Sequence, residues 1–319
     1  LFLALCCQTY NYMLFLLQSL GALMLLLAAL ALLRWLWIYI WLPLQPQSTR
    51  LSQRYGAGSW ALITGASDGL GKAFAQQLAE HGFNLVLVAR TQSKLNRLQD
   101  ELQAQGVQVR TITIDLSNQS ESTCATIAAR VQDLDLSVLV NCVGTTVHRH
   151  YKDIPVDSLR RLLAINVHTT AILTHTLLPA LLRHHASTAH RAALINVGSI
   201  VGRFYWPGTQ LYGACKAFID HLTVPLAFEH SEQLDVLSFQ PTVMATAMAA
   251  GTEPAAITIT PEQAARAALA QVGHVASSHG HWRHGLLACV FSVLPAGRRN
   301  AVFLSAALAM GEAEKAKGE

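Results

Sequence analysis

The chain has 319 residues, 52% apolar and only 13% charged, with a net charge of +4. That length holds one large α/β domain with membrane appendages, or at most two small domains. The mild charge forms no basic stripe, so no nucleic acid is expected as a partner. The six cysteines show neither a zinc spacing nor a disulfide framework and read as reduced thiols.

Nothing before Arg34 is charged, and Met13–Leu33 is an uncharged run long enough to cross a hydrocarbon core of ~30 Å. Trp35, Trp37, Tyr39 and Trp41 follow as an aromatic belt suited to the lipid headgroups. A signal peptide would need a basic start and a shorter apolar core. A two-pass hairpin over Leu1–Leu42 would make each pass short. Residues 1–42 are therefore predicted to form one membrane anchor, and 43–58 a linker. Arg34, Arg50 and Arg54 all lie beyond the anchor's apolar run, which by the positive-inside rule puts the body in the cytosol. Cys6 and Cys7 are candidates for acylation. The chain begins with Leu1, which leaves its true start open.

From Ser59 the pattern alternates. Strands are predicted at 60–63, 84–89, 108–114, 136–140, 192–197 and 234–239. Helices are predicted at 70–81, 93–105, 118–132, 156–183, 210–230 and 261–272. Short apolar strands separated by helices call for a doubly wound parallel sheet, a Rossmann fold, with ligands at the carboxyl ends of its strands. Residues 59–273 are the predicted catalytic domain and 274–319 a C-terminal extension. Its apolar pieces, 286–294 and 301–310, are too short to span a bilayer. They suit an interfacial helix pair on the membrane, the alternative being a packed soluble cap.

Between the first strand and the helix after it lies Thr64-Gly65-Ala66-Ser67-Asp68-Gly69-Leu70-Gly71. Glycines there let the backbone approach a pyrophosphate, which the dipole of the next helix favours. An acidic residue ending the second strand would hold the ribose of NAD. This chain has Arg90, suited to the 2′-phosphate of NADP(H), or else a surface arginine by chance. Asp115, after the third strand, either accepts from the adenine amino group or caps the following helix. Tyr212 and Lys216 stand one helical turn apart. The ammonium is expected to lower the phenol pKa from its usual ~10 toward the working range.

These motifs, with Asn141-Cys142-Val143-Gly144, Asn166, Ser199 and the Tyr212–Lys216 pair in order, resemble the short-chain dehydrogenase/reductases over about Ser59–Val272. The anchor, the wording of the glycine turn, Pro241 with Ala245-Thr246, and the tail containing Leu294-Pro295 narrow the likeness. They are most similar to the membrane-bound very-long-chain 3-oxoacyl-CoA reductases and the related 17β-hydroxysteroid dehydrogenases. The resemblance implies that Tyr212 protonates a substrate carbonyl oxygen while Ser199 holds it. It implies that Lys216 binds the nicotinamide ribose and that Asn166 holds a water serving the lysine. It adds Gly65, Ser67, Asp68, Gly69, Leu70, Gly71, Asn141, Gly144, Pro241 and Thr246 to the cofactor contacts. The implied activity is NADPH-dependent reduction of a membrane-borne 3-oxoacyl-CoA in fatty acid elongation, at the endoplasmic reticulum or another organelle such as the mitochondrion. The alternatives are a 17β-hydroxysteroid dehydrogenase and a non-catalytic subunit of a larger membrane assembly. Partners expected on the same basis are the bilayer, an acyl-CoA or steroid, other elongation enzymes and a second copy of the chain.

Three departures stand out. Cys142 occupies the place of a second asparagine, Thr242 follows Pro241 where many relatives have glycine, and Pro225 should kink the catalytic helix. The stretch 244–251 is expected to cover the substrate. His184, His185, His190, His274, His279, His281 and His284 invite a metal. They lack a fixed ligand spacing and are expected to be solvated or membrane-facing.

Overall fold

A computed structural model of the chain describes residues 2–45, 48–117, 121–246 and 256–316. The chain divides into two compact units, Leu1–Leu44 and Gln45–Glu319. In the first, α1 (Phe2–Leu36) runs through a π-helical turn (Trp37–Trp41) into α2 (Leu42–Leu44). It is a continuous helix and makes no hairpin. Tyr10–Leu44 is long and apolar enough to cross a membrane. Consecutive residues Leu23 to Leu27 are all exposed, so the helix is apolar on every side, as a lipid-facing segment must be. The side chains of Cys6 and Cys7 lie outside the described ones.

The second unit opens with α3 (Ser48–Tyr55) and then alternates: β1 (Trp60–Thr64), α4 (Gly69–Glu80), β2 (Asn84–Ala89), α5 (Gln92–Gln103), β3 (Val109–Thr113), α6 (Glu121–Ala129) and β4 (Leu136–Asn141). There follow α7 (Val156–Leu163), α8 (Thr169–Thr188), β5 (Ala192–Val197), α9 (Gln210–Glu229), β6 (Leu234–Phe239), α10 (Pro261–Gln271), β7 (Ser277–Ser278), α11 (Trp282–Val293) and α12 (Ala296–Ala316). The strands pair in parallel in the order β3-β2-β1-β4-β5-β6-β7. The doubly wound parallel sheet is thus present, with the short β7 as an additional edge strand. The order in which strands are added reverses between β1 and β4, which opens a crevice at their carboxyl ends.

Period-two alternation distributes β1 between two cores. Ala61 and Ile63 pack with Phe74, Leu78 and Phe239, whereas Leu62 packs with Ile112, Leu173 and Leu177 on the other face. Both faces are covered, which explains why the strands read as unbroken apolar runs.

The stretch 43–58, expected to be a linker, contains a docked helix. Leu51 and Tyr55 of α3 are each 1% exposed. Arg54 pairs with the buried Asp235 of β6 at 2.5 and 3.0 Å, Arg191 reaches the same carboxylate at 2.9 Å, and the Tyr55 hydroxyl donates to it at 3.0 Å. Arg50 donates to the carbonyls of Leu269, Ala270 and Val272, closing the C-terminus of α10. Arg50 and Arg54 thus have structural partners within the second unit. The helix expected over 156–183 is split by a π-helical turn at Ala164–His168, and α9 continues unbroken past Pro225 to Glu229.

Burial works against a charged Asp235, but Arg54, Arg191 and Tyr55 outweigh it and hold its carboxyl below the usual range. Its contribution is therefore complete above the unfolded value of ~3.9 and lost as pH falls below it. Asp235→Ala leaves two guanidinium groups and a buried phenol facing an apolar methyl. Because both arginines are partly solvated, we expect a loss of about 2 kcal/mol at neutral pH. Thermal unfolding of the two proteins measures it, and the gap should narrow below pH ~4.

Candidate active site

At the head of β1, Thr64 Oγ1 accepts from the amides of Cys142 at 3.0 Å and Val143 at 3.2 Å, locking the exits of β1 and β4 together. Gly65 has φ +68°, and a Cβ there would come within 3.1 Å of Val143 Cα. Gly71, in the first turn of α4, backs directly onto the Gly65 carbonyl, where any side chain would overlap it. These two glycines are forced by space. Ser67 is half-buried and Leu70 buried. Asp68 caps α4 by accepting from Gly69 N at 2.8 Å and pairs with Lys94 of α5 at 2.7 Å. That lysine chiefly holds its carboxyl below the usual range. A Cβ on Gly69 would lie 3.2 Å from the Thr246 methyl, so the chain after β6 lies over the glycine turn. Arg90 is exposed at the end of β2. Asp115 is exposed too and accepts from Ser117 N at 2.9 Å. The Ser117 amide, with Arg161 and Arg90 adding, keeps its carboxyl low.

The second half of the site comes from β4, the π turn, β5 and α9. Lys216 is 4% exposed and donates to the Val197 carbonyl at 2.8 Å. Burial pulls its pKa down to about 8. Its ammonium lies 5.6 Å from the Tyr212 ring centroid. A Cβ on Gly144 would meet Asn166 Oδ1 at 3.0 Å and Lys216 Nζ at 3.4 Å, so only glycine lets these three converge. The Asn166 amide donates to Leu162 O at 3.0 Å and Thr145 O at 2.9 Å and accepts from Thr145 N at 3.3 Å. Its side chain is thus committed to holding the strand exit at 144–145. A π turn places it there, since five-residue closure rotates the asparagine inward relative to an α-helix.

Ser199, at the end of β5, accepts from Val201 N at 3.3 Å and reaches the Pro241 carbonyl at 3.5 Å. The Tyr212 pKa does not fall as expected: burial pushes it up to about 12, and a hydrogen bond with Ser199 is what opposes the rise. The lysine ammonium is spent on Val197 O, and its own desolvation weakens its charge.

Gly65, Ser67, Asp68, Gly69, Leu70, Gly71, Gly144, Asn166, Ser199, Tyr212, Lys216, Pro241 and Thr246 thus gather at the carboxyl ends of β1, β4, β5 and β6, with Arg90 and Asp115 on the β2–β3 side. The Asn141 side chain turns inward instead. It donates to Thr174 at 3.0 Å and Asn196 at 2.8 Å, and Asn196 donates on to Thr223 at 2.9 Å. Cys142 takes no visible part, and burial raises its thiol to about 12.

Sequence reasoning expected the histidines to be solvated or membrane-facing. His184, His279 and His284 are buried, at 1%, 5% and 0% exposure, contrary to the solvated placement expected. Their burial follows from backbone and carboxylate partners that no sequence spacing reveals: Asp135 for His184 at 2.7 Å, Gln240 O for His279 at 3.0 Å, and three main-chain groups for His284. No three potential ligands cluster for a metal among the described residues.

Residues 59–256 match the short chain dehydrogenase family. A relative from Anas platyrhynchos, named very-long-chain 3-oxoacyl-CoA reductase, is 33% identical over 246 residues, covering 75% of this chain and 77% of its own. The solved structure of a 7beta-hydroxysteroid dehydrogenase superposes with a TM-score of 0.70 at 26% identity, covering 80% of this chain and 99% of that one. A short-chain dehydrogenase from Sphingobium yanoikuyae in complex with NADPH gives a TM-score of 0.59 at 28% identity, covering 67% and 83%. With the glycine turn, the doubly wound sheet and the Ser199–Tyr212–Lys216 cleft in place, this chain belongs to the short-chain dehydrogenase family.

Proposed function

We propose that this chain is a membrane-anchored, NADPH-dependent reductase that converts a 3-oxoacyl-CoA to the 3-hydroxyacyl-CoA in fatty acid elongation at the endoplasmic reticulum. The observation that carries the reading is the convergence of Ser199, Tyr212, Asn166 and Lys216 on one cleft in a chain whose duck relative is named for that reaction. The NADPH named for the Sphingobium structure fits the residues present here: a glycine turn that any side chain would fill, a helix N-terminus behind it, and Arg90 at its edge. When bound, this cofactor supplies a hydride to the substrate carbonyl carbon.

The chain's own groups manage the oxygen. With a pKa near 12, Tyr212 is fully protonated at neutral pH and is the proton donor to the developing alkoxide. Ser199 supplies a second hydrogen bond to that oxygen, where charge grows and water is scarce. Lys216, held by Val197 O, holds the nicotinamide ribose and adds positive charge beneath the phenol as the proton leaves. Asn166 fixes the Gly144–Thr145 backbone, which would form part of the wall on the cofactor side of the cleft.

The acyl chain belongs at the lipid surface. Leu286, Val290 and Val293 of α11 and Val302 of α12 are exposed, whereas Phe303 of α12 is buried in a stack on Trp206 with centroids 3.6 Å apart. One face of the helix pair docks on the body and the other suits an interface. The stretch 244–251 expected over the substrate lies, beyond Thr246, outside the described residues. Ketosteroid reduction is the second reading, favoured by the likeness to the 7beta-hydroxysteroid dehydrogenase. It uses the same residues on a different pocket.

NADPH oxidation by full-length protein in detergent, with a long-chain 3-oxoacyl-CoA, tests the proposal. Tyr212→Phe should lower kcat by about 10³-fold while NADPH affinity stays within about threefold. Equal rates in the two proteins, or none in either, would favour a scaffold without catalysis. Lys216 should set the alkaline limb: its ammonium is present below about 8 and lost above it, so kcat/KM should fall roughly tenfold per pH unit beyond that point. A profile flat to pH 10 would remove the lysine from the mechanism. Arg90→Ala should weaken NADPH binding by about 10–100-fold, one charged hydrogen-bonded contact, and leave NADH binding unchanged in a fluorescence titration.

A further inference from the structure

The main-chain unit between Pro241 and Thr242 is held from both ends. Its carbonyl accepts from Ile200 N at 3.1 Å and from Ser199 Oγ at 3.5 Å. Its N–H donates to Nδ1 of His284 at 3.2 Å. His284 belongs to α11, in the C-terminal extension, and is 0% exposed. Its other nitrogen, Nε2, faces two carbonyls, Val243 at 3.1 Å and Ile257 at 3.2 Å. An amide donor at Nδ1 and two carbonyl acceptors at Nε2 are compatible with one neutral tautomer, protonated at Nε2. Burial keeps the ring neutral, with a pKa near 4.

We propose that His284 is a positioning residue for the reduction, acting through the Pro241–Thr242 peptide to fix the place of Ser199 Oγ in the cleft, from which its single proton turns from Pro241 O to the substrate oxygen. The idea rests on the catalytic reading of Ser199 given above. A trans peptide is planar, so fixing its N–H fixes the direction of its C=O. The Ser199 hydroxyl takes its orientation from that carbonyl and from Val201 N. Accepting from the N–H also polarises the carbonyl at the opposite end of the same unit. The same ring ties Val243 to Ile257, and these two segments continue as a bridge between Met244 and Ile259 that leads to Thr246 above Gly69.

Two near-isosteres separate the nitrogens of the ring. His284→Asn puts a carbonyl oxygen where Nδ1 lies and keeps the acceptor for Thr242 N. His284→Gln puts an amide nitrogen near Nε2 and loses that acceptor. In full-length protein, H284N should stay within about threefold of the wild-type kcat/KM. H284Q should lose about tenfold, in kcat rather than in the KM for NADPH. In a Ser199→Ala background the H284Q loss should shrink below about twofold, because residues acting as one unit are not additive. Equal losses from the two variants, or an undiminished loss in the Ser199→Ala background, would overturn the proposal. Amide hydrogen exchange gives a readout that needs no turnover. H284Q should speed exchange about tenfold in 199–201 and 242–244 while β4 and β5 keep their protection. Unchanged exchange there overturns the clamp. A wild-type protein that reduces no 3-oxoacyl-CoA sinks the functional reading alone, and exchange still decides the clamp.

Discussion

A buried ammonium shapes the catalytic end of this molecule. Lys216 sits 4% exposed at the floor of the cleft, hydrogen-bonded to Val197 O, with the thiols Cys142 and Cys215 as its closest electrostatic neighbours in place of a carboxylate. Removing a cation from water without an opposite charge is costly, and the group responds by giving up its proton more readily. Everything adjacent is cut to fit it. A Cβ on Gly144 would crowd Asn166 Oδ1 at 3.0 Å and touch Lys216 Nζ at 3.4 Å, and the π turn at Ala164–His168 carries Asn166 into the remaining space. A buried cation without an opposite charge is poised for chemistry, and its desolvation is offset by the apolar cores on either side of the sheet.

The opposite pole of the sheet handles a buried charge differently. Asp235 lies at the amino end of β6, and Arg54, Arg191 and Tyr55 close around it so that it stays ionised. Two of those partners come from α3, the helix that follows the long apolar N-terminal helix in sequence. Full compensation makes this pole a rivet; missing compensation makes the other pole a reactive centre. The strands of one sheet carry both, with stability at their amino ends and chemistry at their carboxyl ends.

Much of this was legible before any coordinate. Strands buried on both faces announce themselves as apolar runs, and the spans 84–89, 192–197 and 234–239 coincide with β2, β5 and β6. The glycine spacing and the Tyr212–Lys216 pair placed the cleft because each depends on local geometry alone. What stayed hidden depends on distant partners. Helix α3 reads as polar linker, since among its described side chains Leu51 and Tyr55 are the deeply buried ones and its arginines find their acceptors far along the chain. The inward turn of Asn141 needed Thr174 and Asn196 to be seen. The rise of the Tyr212 pKa inverted an expectation drawn from charge alone, because burial outweighed a lysine already engaged elsewhere.

The placement of the charged groups separates recognition from reaction. Arg90, Lys94, Asp68 and Asp115 lie in solvent around the outer edge of the cofactor crevice. Tyr212 and Lys216 lie within it, where burial pushes the phenol up to about 12 and pulls the ammonium down to about 8. At the rim, water and salt screen each contact, so a phosphate can be met and released without a deep energetic trap. In the floor the same charges act at low dielectric, where a displaced proton or a missing hydrogen bond changes the barrier directly. The buried histidines follow the second logic. Kept neutral by burial, His279 and His284 serve as clips on the main chain beside the reacting groups, which a charged side chain could do there only at a large desolvation cost. The helix α11 is thereby built into the floor of the site through His284, while Leu286, Val290 and Val293 on its other side stay exposed.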